Sequence, residues 1–153
     1  MVDFGGLFPN GYVSDITRTL FVPGKKPAPK LAEAYRVVLV AHKKAFDILK
    51  PGIMWSEYDH TARSYIKEQG FGEYFAHGIG HSLGLEVHDP YDYDQEPIRE
   101  GMVITIEPGI YLPGLGGVRI EDDVVITRDG AKKLSHAPYL SGTISSEKGH
   151  SRH

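Results

Sequence analysis

The sequence contains no cysteine. That excludes disulfides and thiolate-bound metals, and leaves oxygen and nitrogen as the strong ligand atoms. No apolar stretch approaches the roughly eighteen residues needed to span a bilayer. Basic excess is also missing: the formal net charge is -3, which offers no field for nucleic acid or an anionic membrane surface. The opening Met-Val-Asp-Phe-Gly-Gly has neither a basic region nor an apolar core, so no signal peptide is read and a cytoplasmic location is expected. No internal repeat or low-complexity tract stands out. What is there is ordinary for a globular protein, 41% hydrophobic and 24% charged. A length of 153 residues suits one domain, burying roughly 70% of the surface its unfolded chain would expose.

The distinctive stretch runs from Phe75 to Pro90. It places His77, His81 and His88 among Gly78, Gly80 and Gly84, with a hydrophobic run between. Imidazole is the commonest metal ligand, and glycines beside it let the backbone approach whatever the histidines hold. The segment therefore reads as half of a dinuclear metal site, completed by carboxylates far away in sequence at Asp3, Asp15, Glu107 and Glu121.

Met1 to Thr19 reads as a hairpin around the turn cluster Pro9-Asn10-Gly11, with β-branched and aromatic residues in the return strand. A three-residue loop at Phe8-Pro9-Asn10 sets Asp3 opposite Asp15 on one face, with Cβ atoms about 5 Å apart. Two carboxylates that close repel unless a cation lies between them; alternatively both face solvent, or Asp15 caps a turn. After a basic, proline-rich linker, helical spacing predicts one helix over Pro29 to Leu49, stopped by Pro51-Gly52, and a second from Ser56 to Gln69. Ser56 suits the N-cap and Asp59 the first turn. His42 and His60 read as ordinary helix-face histidines. A short strand is expected at Leu85 to His88, a surface loop from Tyr91 to Arg99, and a buried strand from Gly101 to Ile106. Val118 to Glu121 alternates, Val124 to Thr127 follows as a strand, and a last short strand falls near Lys132 to Leu134. Residues 141–153 form a polar, frayed tail behind a 1–140 domain.

Glu107 directly follows the apolar run Met102 to Ile106, and an unpartnered carboxylate is costly to bury there. Glu121 shares a strand face with Arg119, which in isolation reads as a surface ion pair. The whole set points elsewhere. Carboxylates with one imidazole suit manganese, iron, cobalt or zinc, whereas calcium ordinarily takes oxygens only. Four carboxylates exceed the need of one divalent ion, and two ions a few ångströms apart satisfy them.

Gly11 to Thr19, His77 to Pro90, Ile106-Glu107-Pro108-Gly109 and Arg119-Ile120-Glu121-Asp122 closely resemble the pita-bread metallopeptidase family of methionine aminopeptidases, Xaa-Pro aminopeptidases and Xaa-Pro dipeptidases (prolidases). The resemblance covers roughly Met1 to Pro138. The paired His77 and His81, with Gly84-Leu85-Glu86-Val87-His88, resemble the proline-specific branch; methionine aminopeptidases carry an arginine where His81 stands. The resemblance implies an α+β, pita-bread (creatinase/aminopeptidase) fold, a curved antiparallel sheet with flanking helices. It implies metal ligands Asp3, Asp15, His81, Glu107 and Glu121, with Asp15 and Glu121 bridging two divalent ions, manganese foremost and cobalt, zinc or iron as alternatives. His77, His88 and Arg119 would lie toward the substrate, orienting the scissile carbonyl and stabilising the tetrahedral intermediate. The reaction implied is hydrolysis of an Xaa-Pro dipeptide or short peptide by a metal-bridging hydroxide, with Glu107 as general base and then acid.

Two departures are visible. The Asp3–Asp15 interval is one residue longer than the family's usual spacing, which a lengthened hairpin tip accommodates. Family catalytic domains also carry a preceding half, related to this one by a pseudo-twofold and apparently lacking here. Without it the sheet would expose an edge and apolar surface, so a homodimer or other self-association, or a separate covering segment, is expected. The alternative to a hydrolase is a non-catalytic binding module or inactive fragment on the same fold.

Overall fold

The computed structural model describes residues 1–22 and 24–139; the tail expected from residue 141 lies outside them. Strand β1 (Val2–Leu7) pairs antiparallel with β2 (Val13–Arg18). The register differs from the expected one: Asp3 faces Thr17, and Asp15 faces Gly5. The loop runs from Phe8 to Tyr12, closed by the Phe8 amide donating to the Tyr12 carbonyl at 2.8 Å, with Gly11 at φ +87°. Side chains alternate with period two, so the slipped register still leaves Asp3 and Asp15 on one face, now as diagonal neighbours.

Helix α1 (Pro29–Ile48) begins with proline at its first position, where the missing N–H is no loss. It buries Ala34, Tyr35, Val38, Ala41 and Ala45, the inward stripe of an amphipathic helix. His42 belongs to that stripe. It is 1% exposed, and its Nε2 lies 3.1 Å from Asp122 Oδ2, so the helix face it occupies is the buried one. Helix α2 (Trp55–Glu68) starts one residue before the expected cap; Met54 holds the N-cap position, with no side-chain hydrogen bond. Tyr58, Ala62 and Ile66 of α2 pack inward, and α1 lies against both α2 and the sheet.

Strands β3 (Val103–Ile106), β6 (Asp122–Thr127) and β7 (Gly130–Lys133) form one antiparallel sheet in the order β3-β6-β7, and β4 (Gly109–Leu112) pairs with β5 (Gly116–Arg119). Ile104, Ile106, Val118, Ile120, Val124 and Ile126 are all essentially inaccessible and meet the helices as one core. Truncating one such isoleucine to alanine costs about 2–5 kcal/mol. The hairpin joins this sheet through the Glu121 amide, which donates to the Thr17 carbonyl at 3.0 Å. Arg119 and Glu121 do not share one strand: Arg119 ends β5, and Glu121 lies in the connection to β6. The strand expected at Leu85 to His88 is absent; that stretch turns, with the Asp89 carboxylate accepting from the Glu86 amide at 2.8 Å. Among the described residues no helix is long and apolar enough to cross a membrane.

Candidate metal centre

The histidine segment is shaped by β3 rather than by its own periodicity. Ile79 accepts from the Glu107 amide at 2.8 Å and His81 accepts from the Thr105 amide at 2.9 Å. The His81 amide donates to Thr105 Oγ1 at 2.9 Å. A glycine is required at position 80, because a Cβ there would overlap the Thr105 carbonyl. The segment thus lies along β3 as an irregular partner and turns His81 toward the carboxylates.

These side chains line a cavity of about 710 Å³. Ligand atoms of Asp15, His81 and Glu121 all lie within 4.8 Å of one another. His81 Nε2 is 3.6 Å from Asp15 Oδ2 and 3.3 Å from Glu107 Oε1. Asp3 reaches the same cavity, but its carboxylate is paired with the Arg119 guanidinium. His88 stands edge-on to His81 with ring centroids 4.0 Å apart. His77 lies farther along the wall, its Nε2 2.7 Å from Tyr111 Oη and its Nδ1 2.8 Å from the Gly78 carbonyl. A carbonyl only accepts, so Nδ1 carries the proton and Nε2 accepts from the tyrosine. All eight residues expected at a site therefore line one cavity; Asp3 alone is turned aside by a salt bridge.

The charge balance is poor. Arg119, whose Nε is 3.9 Å from Glu107 Oε2, is the one guanidinium among the cavity-lining residues, set against four carboxylates. Burial pushes the Glu107 carboxyl up to about 7, aided by Asp15 and opposed by Arg119. Burial and then the Glu107 charge push Glu121 up to about 8. Asp15 is raised by burial and by Asp3, while burial lowers His81. Protonated carboxyls beside a neutral imidazole are what clustered ligands become when no cation separates them. A set of carboxylate oxygens and one imidazole, too crowded to ionise together, fits divalent cations that accept mixed oxygen and nitrogen donors.

Several residues that shape the site carry little sequence signal. Thr17 Oγ1 donates to Glu121 Oε2 at 2.6 Å and accepts from Arg119 Nε at 3.0 Å. Its position two residues after Asp15 on the same strand face is the one available clue. Tyr111 accepts from Arg119 Nη1 at 2.9 Å. Trp55 and Tyr93 give the cavity an aromatic wall, with ring centroids 4.7 Å apart. Asp59 does not serve the helix start; it pairs with Arg63 and accepts from the Ile79 amide at 3.0 Å.

An antiparallel sheet backed by two helices, with four acids and three histidines lining a cavity upon it, is the arrangement of a pita-bread metallopeptidase domain. The chain belongs to metallopeptidase family M24, whose model matches residues 1–128. It is 52% identical over 138 residues to the Xaa-Pro dipeptidase of Pyrococcus furiosus, covering 88% of this chain and 39% of that protein. The prolidase structure from Pyrococcus horikoshii OT3 superposes with a TM-score of 0.84 at 51% identity, over 90% of this chain and 40% of that one. The X-Pro aminopeptidase structure from Thermotoga maritima MSB8 gives a TM-score of 0.82 at 40% identity, over 89% of this chain and 38% of that one. The chain thus spans about two fifths of the length of the relatives it matches.

Proposed function

We propose that the chain supplies the metal-binding wall of a dinuclear Xaa-Pro peptidase, with Asp3, Asp15, His81, Glu107 and Glu121 as ligands. The observation that carries this reading is the convergence of Asp15, His81 and Glu121 to within 4.8 Å, with Glu107 3.3 Å from His81. Two divalent ions held there, manganese foremost, would polarise a carbonyl and lower the pKa of water to near neutrality. Glu107, lining the cavity beside His81, would take a proton from the attacking water and hand it to the leaving imino nitrogen. His88 and Arg119 would orient the carbonyl, and His77 supports Arg119 through Tyr111. Trp55, Val87 and Tyr93 offer the apolar surface that a proline ring needs.

The relatives' printed names, Xaa-Pro dipeptidase and X-Pro aminopeptidase, support this substrate class. The alternative reading is a non-catalytic module on the same fold. Self-association is also part of the reading, since β1 is exposed along its whole length and, among the described residues, leaves one edge unpaired. Manganese titration by calorimetry, followed by a Gly-Pro hydrolysis assay, separates the readings. Two ions per chain with turnover, and at least a hundredfold loss in Glu107→Gln, supports the peptidase. Metal uptake without turnover favours the binding module, and no metal uptake at all sinks both metal-dependent statements. Sedimentation as a monodisperse monomer would count against self-association.

A further inference from the structure

The ion pair between Asp59 and Arg63 on α2 lies outside the proposed metal ligands, yet it grips the histidine segment. Arg63 forks onto Asp59 at 2.7 and 2.8 Å. Its other contacts leave the helix: Nη1 donates to the Phe75 carbonyl at 3.0 Å and Nη2 to the His77 carbonyl at 2.7 Å. Its guanidinium also lies 4.3 Å from the centre of the Phe75 ring. Asp59 Oδ1 closes the clamp by accepting from the Ile79 amide. Three backbone groups around His77 and Gly78 are thus fixed by one pair of side chains. An exposed i,i+4 pair is ordinarily worth little, but here each partner is engaged beyond the other.

Among the described residues, the only other bond to a neighbouring backbone group around His77 is within the loop itself, from His77 Nδ1 to the Gly78 carbonyl, while the carbonyls of Ile79 and His81 are bonded to β3. The clamp therefore acts on His77 and its surroundings rather than on His81. Downstream of His77 runs a directed chain of donors: Arg119 to Tyr111 Oη, Tyr111 to His77 Nε2, and His77 Nδ1 to the Gly78 carbonyl. We infer that Asp59 and Arg63 are positioning residues, which set the His77 backbone so that this chain of hydrogen bonds keeps Arg119 aimed into the cavity. Arg63 suits the task better than lysine, because only a planar fork reaches a carboxylate and two carbonyls at once.

The structural part of this inference stands alone; its consequence for turnover rests on the peptidase reading. The test compares Asp59→Ala, the milder Asp59→Asn, and Arg63→Lys with the parent chain by amide hydrogen exchange and histidine nitrogen NMR. In Asp59→Ala the Ile79 amide should exchange at least tenfold faster, while the Thr105 and Glu107 amides, bonded to His81 and Ile79 carbonyls, stay within twofold. In Arg63→Lys the Nδ1–H signature of His77 should be lost. Manganese affinity should hold within twofold in all three, with kcat/KM on Gly-Pro falling at least tenfold. Uniformly faster exchange at all three amides, or metal affinity falling in step with turnover, would show general loosening and overturn the inference. Should the parent chain bind no manganese, the peptidase reading fails by itself, and the exchange and NMR results still decide the role of the clamp. If Asp59→Ala does not fold, Asp59→Asn, which keeps an oxygen acceptor for Ile79 but loses the ion pair, decides it through the His77 signal.

Discussion

Replacing Glu121 with glutamine should stabilise the metal-free protein at alkaline pH. The side chain is 2% exposed and sits with Glu107 and Asp15 around one cavity, which pushes its carboxyl from 4.5 up to about 8. A pKa raised in the folded state favours the fold while the group stays protonated. That contribution is complete below about 4.5 and is lost as pH rises through about 8. Each unit corresponds to about 1.4 kcal/mol. Part of the shift belongs to the cluster as a whole, leaving roughly 3 kcal/mol for Glu121 alone, or about 6–12 °C in melting temperature for a chain of this size. Glutamine is isosteric and still accepts from Thr17 Oγ1, so it removes the charge and keeps the hydrogen bond.

The assay is calorimetric melting in chelator between pH 5 and pH 9. The parent chain should lose stability steadily between about pH 4.5 and pH 8 and level off above it, and Glu121→Gln should show a flatter profile, becoming the more stable of the two above pH 8. Saturating manganese should reverse the order, because only the parent has the full set of carboxylates for it. Parallel pH profiles in chelator would refute the claim that like charge and burial dominate at this site. So would a glutamine variant that is the less stable at pH 9.

Two substitutions test the scaffold that aims the ligands. Gly80→Ala drives a Cβ into the Thr105 carbonyl and should cost roughly 2 kcal/mol by overpacking, with weakened manganese binding through neighbouring His81; Gly78→Ala, where the nearest atom is 3.9 Å away, should be tolerated. Equal melting temperatures for the two would contradict the close-approach argument. Asp122→Asn strips the buried partner of Arg18, at 2.6 Å, and of Lys133, at 2.9 Å. Leaving that guanidinium unpaired should cost about 3–5 kcal/mol in urea unfolding, and a loss under 1 kcal/mol would mean water reaches Arg18.

The sequence carried the helices and most strands well, because their signals are local: apolar spacing along α1, a proline at its start, an unbroken apolar run into β3. It also marked the acids that line the cavity, since a carboxylate after Ile106 has no comfortable place in a core. Register was harder. Asn10-Gly11 marked the turn, but the hydrogen bond from Phe8 to Tyr12 that fixes its length depends on how the two strands meet. The shared face of Asp3 and Asp15 survived that error only because the slip preserved the parity of the pairing. Residues whose meaning lies in a distant partner were illegible. His42 looked like any helix-face histidine although Asp122 closes on it, Tyr111 carried no signal although Arg119 and His77 meet at its hydroxyl, and Asp59 looked like a helix-start acid although Arg63 and Ile79 claim it.

The run Glu121-Asp122-Asp123 shows how one fold divides such information. Three neighbouring acids, nearly equivalent as letters, meet three environments. Glu121 enters the cavity and is pushed up to about 8. Burial would also raise Asp122, but the adjacent His42 imidazole, 3.1 Å away, and hydrogen bonds from Tyr139 and Arg18 outweigh it and hold this carboxyl far below the ordinary range. Asp123 is buried again and rises to about 7, its one bond on Oδ2 coming from the Asp15 amide at 3.1 Å. The protein's own cations are thus spent on the structural member of the trio. Arg18 ties Asp122 to the carbonyls of Thr17 and Glu121, which anchors the two chain segments that carry Asp15 and Glu121. The cavity side is left short of positive charge while its geometry is locked from behind. Environments that drive adjacent titratable groups apart mark where chemistry is placed, and a rigid, cation-poor cluster of oxygens and one imidazole is the condition under which divalent ions bind.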